Sequence, residues 1–401
     1  MAVVRRGLFV VILLLLVAPA GGASLLPLPT RLANALAVPG NPATASSAVA
    51  IDLRTGQVLF ARHPDLALAP ASNEKLTVSF SALRELGPSY RFRTEVLGRG
   101  YQEDGTWHGD VFLKGFGDPT LSSLQLDRLA TQLTELGITD ITGRIYADES
   151  WFDAQRIAPG WKASYFIGEC PPLSALVSDR AWYDHHTAHQ PALAAAGRFK
   201  VLLRARGITS GVVGLGRAPD DAYALAQVES APLSDVLAEM DRESDNFLAE
   251  MLLKDIGAEV GDAGTTAAGA AIVVRDLQAE GIPLDGVRIV DGSGLSLDDR
   301  LTARALAGLL VAVWNDPDLR DPFWRSLPVA GVNGTLEKRL RKAPARGAVH
   351  AKTGTTDRAS ALSGYVGDRY GFAVLQNGWP VSAWSARKAQ DRFATALASA
   401  P

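Results

Sequence analysis

The sequence predicts a mixed α/β chain whose main domain is interrupted by an inserted, strand-rich one. Three observations carry this. A hairpin pattern lies before residue 70, and a strand meander with a closing helix ends the chain. From about Arg91 the texture changes to short strands and turns. The residues that can do chemistry, Ser72 and Lys75 on one side and Ser244 on the other, flank that stretch, and a gap of this length calls for a domain rather than a loop.

Residues 1–23 read as a secretory signal peptide. Arg5 and Arg6 precede the apolar run Leu8 to Val17, and Ala18-Pro-Ala20 and Gly21-Gly-Ala23 offer small residues for cleavage. The reading places the mature protein outside the cytoplasmic membrane, secreted or periplasmic; an uncleaved anchor is the alternative. Residues 24–46, rich in Pro, Ala and Asn, read as a mobile leader. A formal net charge of −3 argues against a general nucleic-acid binder. The lone cysteine, Cys170, excludes an intrachain disulfide and reads as a small buried hydrophobe.

Ser46 to His63 reads as a β-hairpin turning at Arg54-Thr-Gly56. Pro70 then marks a helix start, Leu76, Phe80 and Leu83 its buried stripe, and Gly87-Pro88 its end. Ser72 therefore sits at a helix N-terminus, with Lys75 one turn along on the same face. A serine hydroxyl is a poor nucleophile without a base beside it, and a lysine amine serves once its pKa falls. Ser385 and Lys388 show the same spacing and read as an ordinary surface helix. Arg93–Val96, Asp110–Leu113 and Gly143–Tyr146 are strand-like, and Leu124 to Leu136 is an amphipathic helix. Helical periodicity returns over Leu233 to Ile256, with Ser244 and Asn246 at a turn or helix start, and continues over Thr265 to Leu277 and Leu301 to Trp314. Val287 to Val290 reads as a strand, and Asp291-Gly-Ser-Gly294-Leu-Ser296 as a glycine-bearing turn. Val349 to Thr355, Ala361 to Val366 and Gly371 to Gln376 form the meander, and Ser385 to Ser399 the closing helix.

Ser244-Asp-Asn246 is the only Ser-x-Asn in the chain, and Lys352-Thr-Gly354 the only Lys-Thr-Gly. With Ser72-x-x-Lys75 they form the ordered trio of serine penicilloyl-enzymes. Adding Gly117-Asp-Pro-Thr-Leu121, Ser244 to Ala249, Asp291 to Ser296, Val329 to Leu336 and His350 to Thr355, the chain resembles the D-alanyl-D-alanine carboxypeptidase/endopeptidase family of class C low-molecular-mass penicillin-binding proteins, peptidase family S13. The resemblance implies a DD-peptidase/β-lactamase-like α/β domain, an antiparallel sheet flanked by helices, built from residues 24–90 and 221–401. Residues 91–220 are then the inserted domain. It implies cleavage of D-alanyl-D-alanine ends, and of cross-links, in peptidoglycan stem peptides, with β-lactam antibiotics bound covalently and neither metal nor cofactor.

Under that resemblance Ser72 is the nucleophile, Lys75 its base, Ser244 a proton relay and Asn246 a partner of both Lys75 and the substrate amide. Lys352, Thr353, Gly354 and Thr355 bind the terminal carboxylate, with Lys352 helping to keep Lys75 neutral. Backbone N–H groups of Ser72 and Thr355 form the oxyanion hole. Asp148 faces substrate from the insertion. Members often carry a basic residue after Gly-Leu-Ser, where this chain has Leu297, so the third peptide residue is expected to be read differently. Glu74 is expected in solvent near the helix dipole and His350 in local packing, while His185, His186 and His189 suggest a metal site that no nearby metal-enzyme signature supports. A β-lactamase, a penicillin-binding sensor and an envelope protein with a decayed site are the rival readings. No Glu-x-x-Leu-Asn follows Ser244 to deacylate a penicilloyl ester, and no apolar run after the leader is long enough to span a membrane.

Overall fold

The computed structural model describes residues 26–40 and 45–400, so the signal-peptide expectation lies outside the described residues. The chain opens with α1 (Leu28–Leu36), the hairpin β1 (Ser46–Asp52) and β2 (Val58–Arg62), and α2 (Lys75–Leu86). There follow β3 (Arg93–Glu103), β4 (Thr106–Gly115), α3 (Ser123–Glu135), β5 (Asp140–Ile141), β6 (Ile145–Asp148), β7 (Trp182–Tyr183), β8 (His186–Thr187), α4 (Pro191–Ala205), β9 (Thr209–Ser210), β10 (Val213–Leu215) and β11 (Tyr223–Glu229). The rest is α5 (Leu233–Glu243), α6 (Asn246–Glu259), α7 (Thr266–Ala279), α8 (Ala303–Asn315), α9 (Pro317–Ser326), β12 (Val349–Thr355), β13 (Ala359–Val366), β14 (Tyr370–Asn377) and α10 (Ala383–Ala398).

Alternation along the strands decides how the first sheet is used. Its order is β12-β13-β14-β1-β2, antiparallel throughout. Ala48 and Ala50 of β1 and Phe372 and Val374 of β14 face one core, while Val49, Ala373 and Leu375 face the other. The first core is closed by α1 and α10, through Leu32, Leu36, Phe393 and Leu397. The second, larger core is closed by α2 and α5 to α9. Both faces are covered, so β13 is buried along its whole length.

α6 is apolar almost all round because it packs on two sides. Leu248, Leu252 and Ile256 enter the large core, while Phe247 and Met251 meet Phe152, Cys170, Leu173 and Val177 of the segment after β6. The second sheet, ordered β10-β6-β4-β3-β11, packs α3 and α4 through Leu126, Leu129, Leu133, Ala195 and Phe199. β4, β6 and β10 run parallel; β3 and β11 are antiparallel to their neighbours.

Several expectations change. Residues 28–36, part of the expected mobile leader, are helical because Leu32, Ala35 and Leu36 fall on one face against α10. The second sheet reaches past residue 220, the expected end of the insertion. β11 pairs with β3, so Tyr223 to Glu229 belong to the second sheet, and Phe92 and Ser230 then bond backbone to backbone where the chain enters and leaves it. Val287 to Val290 form no strand, only a single bridge from Arg288 to Arg300. α4 and α9 had no counterpart in the sequence reading; Pro322 inside α9 reads as a breaker, yet the helix holds it. No helix among the described residues is long and apolar enough to cross a membrane.

Candidate active site

Ser72 lies on a 3₁₀ turn, Ala71–Glu74, that leads into α2. Two neighbours hold this turn at contact distance. A Cβ on Gly354 would stand 3.1 Å from Ser72 N and 2.9 Å from Pro70 O, so β12 lies directly against it. A Cβ on Gly294, which has φ +80°, would stand 1.9 Å from Ala71 O. Asn73 Nδ2 donates to Lys352 O at 3.0 Å and ties the turn to β12 from the buried side.

α5 ends at Ser244, whose left-handed backbone (φ 60°, ψ 40°) reverses the chain before α6. Asp245 caps α6 by accepting Leu248 N–H, and Arg180 of the inserted segment pairs with it. This turn delivers Ser244 Oγ to Lys352 Nζ at 2.8 Å and Asn246 Oδ1 to Lys75 Nζ at 2.8 Å. Asn246 Nδ2 donates to Glu169 O at 3.1 Å, which sets the amide's orientation.

Lys75 is fully buried. Its Nζ lies 3.2 Å from Ser72 Oγ, 2.8 Å from Asn246 Oδ1 and 2.7 Å from Ser293 O. Two of these three partners are carbonyl oxygens, which only accept. A neutral amine has two N–H groups and one lone pair. In the neutral form, with both N–H groups on carbonyls, the lone pair would face the Ser72 hydroxyl. Burial pushes the Lys75 pKa down, while Asp291, Glu250, Asp245 and Asp241 oppose it. Lys352, also fully buried, is lowered to about 7 by desolvation first and Lys75 second, with Asp241 acting the other way. Burial is thus the first cause at both amines, and the repulsion between Lys75 and Lys352, second at Lys352, acts in the expected direction.

The largest departure concerns buried acids beneath Lys75. Glu74, expected in solvent, is fully buried and bonds Thr77. Desolvation, then Asp291, raises its pKa well above the carboxylate range. Glu250 is raised to about 8 by desolvation and then by Asp291. Glu250 Oε1 accepts the N–H of Gly292 and Ser293 at 3.1 and 2.8 Å. Asp291 accepts the N–H of Gly294 and Ser296 at 2.7 Å each, and Trp161 Nε1 at 2.7 Å. The turn at 291–296 is thus clamped from both sides and presents the Ser293 carbonyl to Lys75. Helical spacing signals Glu250, four residues beyond Asn246, but not its depth.

Thr353 Oγ1 bonds Thr335 at 2.8 Å, and Thr355 Oγ1 donates to Gly354 O and receives Arg387 at 3.3 Å. Asp148 does not join this group. Its buried carboxylate accepts Ser150 N–H at 2.9 Å and Ala218 N–H at 2.8 Å, inside the second sheet's end of the molecule. Its oxygens are taken up by these two N–H groups, with Lys114 Nζ 4.0 Å away. Ser385 is buried and donates to Pro39 O at 2.9 Å, away from the other site residues, so the Ser385/Lys388 pair is not a plain surface helix. His350 stacks on Trp324 with ring centroids 4.1 Å apart, and His189 packs on Phe166.

The family model for the D-Ala-D-Ala carboxypeptidase 3 (S13) family matches residues 29–190 and 184–400. The chain belongs to the S13 peptidase family. Among its relatives is the D-alanyl-D-alanine carboxypeptidase of Actinomadura sp. (strain R39), 32% identical over 90% of this chain and 83% of that protein. The carboxypeptidase DacB of Mycolicibacterium smegmatis is 32% identical over 88% and 81%. Penicillin-binding protein 4 of Haemophilus influenzae shares the fold, with a TM-score of 0.80 and 23% identity over 92% of this chain and 98% of that one. The Bdellovibrio bacteriovorus predatory peptidoglycan endopeptidase Bd3459 superposes with a TM-score of 0.54.

Proposed function

We propose that this S13 member is a serine DD-peptidase of peptidoglycan stem peptides, acting outside the cytoplasmic membrane. The carrying observation is the Lys75 amine, held by two carbonyl acceptors with its third contact on Ser72 Oγ. Ser72 Oγ attacks the carbonyl carbon of the penultimate D-alanine while its proton passes to Lys75 Nζ. As the C–N bond breaks, the proton reaches the leaving amine through the Ser244 hydroxyl, which Lys352 Nζ orients. Asn246 holds Lys75 on one side and the substrate amide on the other. Lys352, Thr353, Gly354 and Thr355 receive the terminal carboxylate, and the backbone N–H groups of Ser72 and Thr355 receive the oxyanion. Water then hydrolyses the acyl-enzyme.

A β-lactam offers the same attack on a strained amide, but its leaving amine stays tethered, so the ester persists. Residues 26–90 and 230–400 make up the catalytic unit in this reading, and 91–229 the insertion. The test is product analysis by mass spectrometry after incubation with purified cross-linked peptidoglycan fragments, alongside labelled penicillin. Wild-type protein should release D-alanine and carry the label on Ser72, and Ser72→Ala should do neither. A label elsewhere, or D-alanine release by Ser72→Ala, refutes the assignment; rapid penicillin turnover would favour a β-lactamase.

A further inference from the structure

α10 carries Trp384, Lys388, Arg392 and Thr395 along one face at steps of three and four residues, with its C-cap Ser399 next in line. With Arg31 of α1 and Arg339 this face lines a surface groove of ≈ 690 Å³. Asp391 is the one acid in its wall, and Arg339 takes it at 2.7 Å. Arg387, Lys388 and Arg392 have no carboxylate within 4.0 Å among the described residues. Trp384 is 68% exposed, with Lys388 Nζ 4.6 Å from its ring centroid. On a chain of formal net charge −3, this is a segregated cationic channel.

The groove adjoins the catalytic site. Arg387, in its wall, donates to Thr355 Oγ1 at 3.3 Å, and Thr355 follows Lys352-Thr-Gly on β12. An anion seated at Lys352 and Thr355 therefore lies beside the groove's end.

We propose that this groove holds the leaving-side strand of a cross-linked peptidoglycan peptide, with that strand's free carboxylates on Arg387, Lys388 and Arg392. The inference rests on the DD-peptidase reading above. When the leaving group is D-alanine, it ends at the carboxylate and has nothing to place in the groove. When a cross-link is cut, the leaving amine belongs to a second stem peptide, which continues beyond the carboxylate site and carries further carboxylates. A concave cationic groove beside the cleft, joined to it by Arg387, fits an extended strand better than a flat anionic bilayer. The groove thus serves endopeptidase substrates and leaves carboxypeptidase substrates indifferent to it.

The experiment compares full-length wild type with Lys388→Glu/Arg392→Glu on two substrates. One is an acylated tripeptide ending in D-Ala-D-Ala, read by D-alanine release; the other is a purified cross-linked muropeptide dimer, read by chromatography. The variant should keep kcat/KM on the tripeptide and lose about tenfold or more on the dimer, chiefly through KM. In the wild type, added salt should raise KM for the dimer more steeply than for the tripeptide, whose one carboxylate meets the buried Lys352, a result that needs no variant to fold. Equal losses on both substrates, or no loss on the dimer, overturn the proposal. So does lost sedimentation with phosphatidylglycerol vesicles while dimer kinetics stay intact, which would assign the groove to a membrane surface. Wild type inactive on both substrates would instead sink the DD-peptidase reading itself.

Discussion

Glu250 Oε1 accepts the N–H of Ser293 at 2.8 Å, and the carbonyl of the same Ser293 receives Lys75 Nζ at 2.7 Å. A buried carboxyl on α6 is thereby coupled to the proposed general base through one residue of backbone. Asn246, on the first turn of α6, touches Lys75 directly, so a single helix supplies both restraints.

Glu250→Ala leaves the Gly292 and Ser293 N–H groups buried without an acceptor, at about 1–3 kcal/mol each. Penicillin acylation should slow because the Ser293 carbonyl drifts from Lys75, and the melting temperature should fall. Glu250→Gln keeps an acceptor oxygen and should recover most of the acylation rate. If both variants acylate like wild type, the clamp does not position Lys75.

The same carboxyl makes stability depend on pH. Its folded-state pKa, about 8, lies above the ordinary 4.5, so the folded protein holds a proton that the unfolded chain has released. Its contribution is complete below the unfolded value and is lost as pH rises through the folded one. Wild-type melting temperature should therefore decline towards pH 8, and Glu250→Gln, which cannot ionise, should decline less. Thermal scans across this range decide it; parallel curves would count against a buried neutral carboxyl.

Lys75 and Lys352 are both buried and repel one another, so they titrate as a pair, and the proposed chemistry needs Lys75 neutral and Lys352 charged. Acylation should rise as the pair loses its first proton and fall as it loses the second. Lys352→Met removes a neighbouring cation, so Lys75 should hold its proton more tightly and the acid limb should move to higher pH. The lost carboxylate anchor should cost about 1.5–3 kcal/mol in kcat/KM. An acid limb that shifts downward would contradict the sign. Lys75→Ala should be more damaging to acylation, by about 10²–10⁴ in rate.

Gly294→Ala should disturb the nucleophile turn although residue 294 carries no side chain now. Its φ of +80° disfavours alanine, by about 1–2 kcal/mol, and the new Cβ would meet Ala71 O. Slower labelling of Ser72 together with a lower melting temperature is the expected result, and an unchanged labelling rate would show that the contact is slack.

Asp148→Ala separates a structural role from a substrate-facing one. Two backbone N–H groups lose their acceptor, at about 1–3 kcal/mol each, so the melting temperature should drop while KM for a stem-peptide substrate holds. A raised KM at unchanged stability would restore the substrate-facing role.

The sequence alone determined what local periodicity and residue chemistry encode. The short apolar runs in Ser46–Asp52 and Tyr370–Asn377, the stripe of α2 and the proline ahead of Ser72 place the strands, the nucleophile turn and its lysine. The spaced Ser-x-Asn and Lys-Thr-Gly motifs named the partners that the fold assembles. Tertiary structure decided whatever depends on contacts between distant segments. Glu74 reads as a first-turn acid facing water, and only the packing of α6 and the 291–296 turn buries it. Asp148 reads the same whether it meets a substrate or two backbone N–H groups 2 and 70 residues away. α1 is too short to be a stable helix in isolation and exists because α10, at the other end of the chain, covers its apolar face. Burial is a property of the assembled neighbours, so the charge states of Lys75, Lys352 and Glu250, on which the proposed chemistry turns, could be read only after the chain had folded around them.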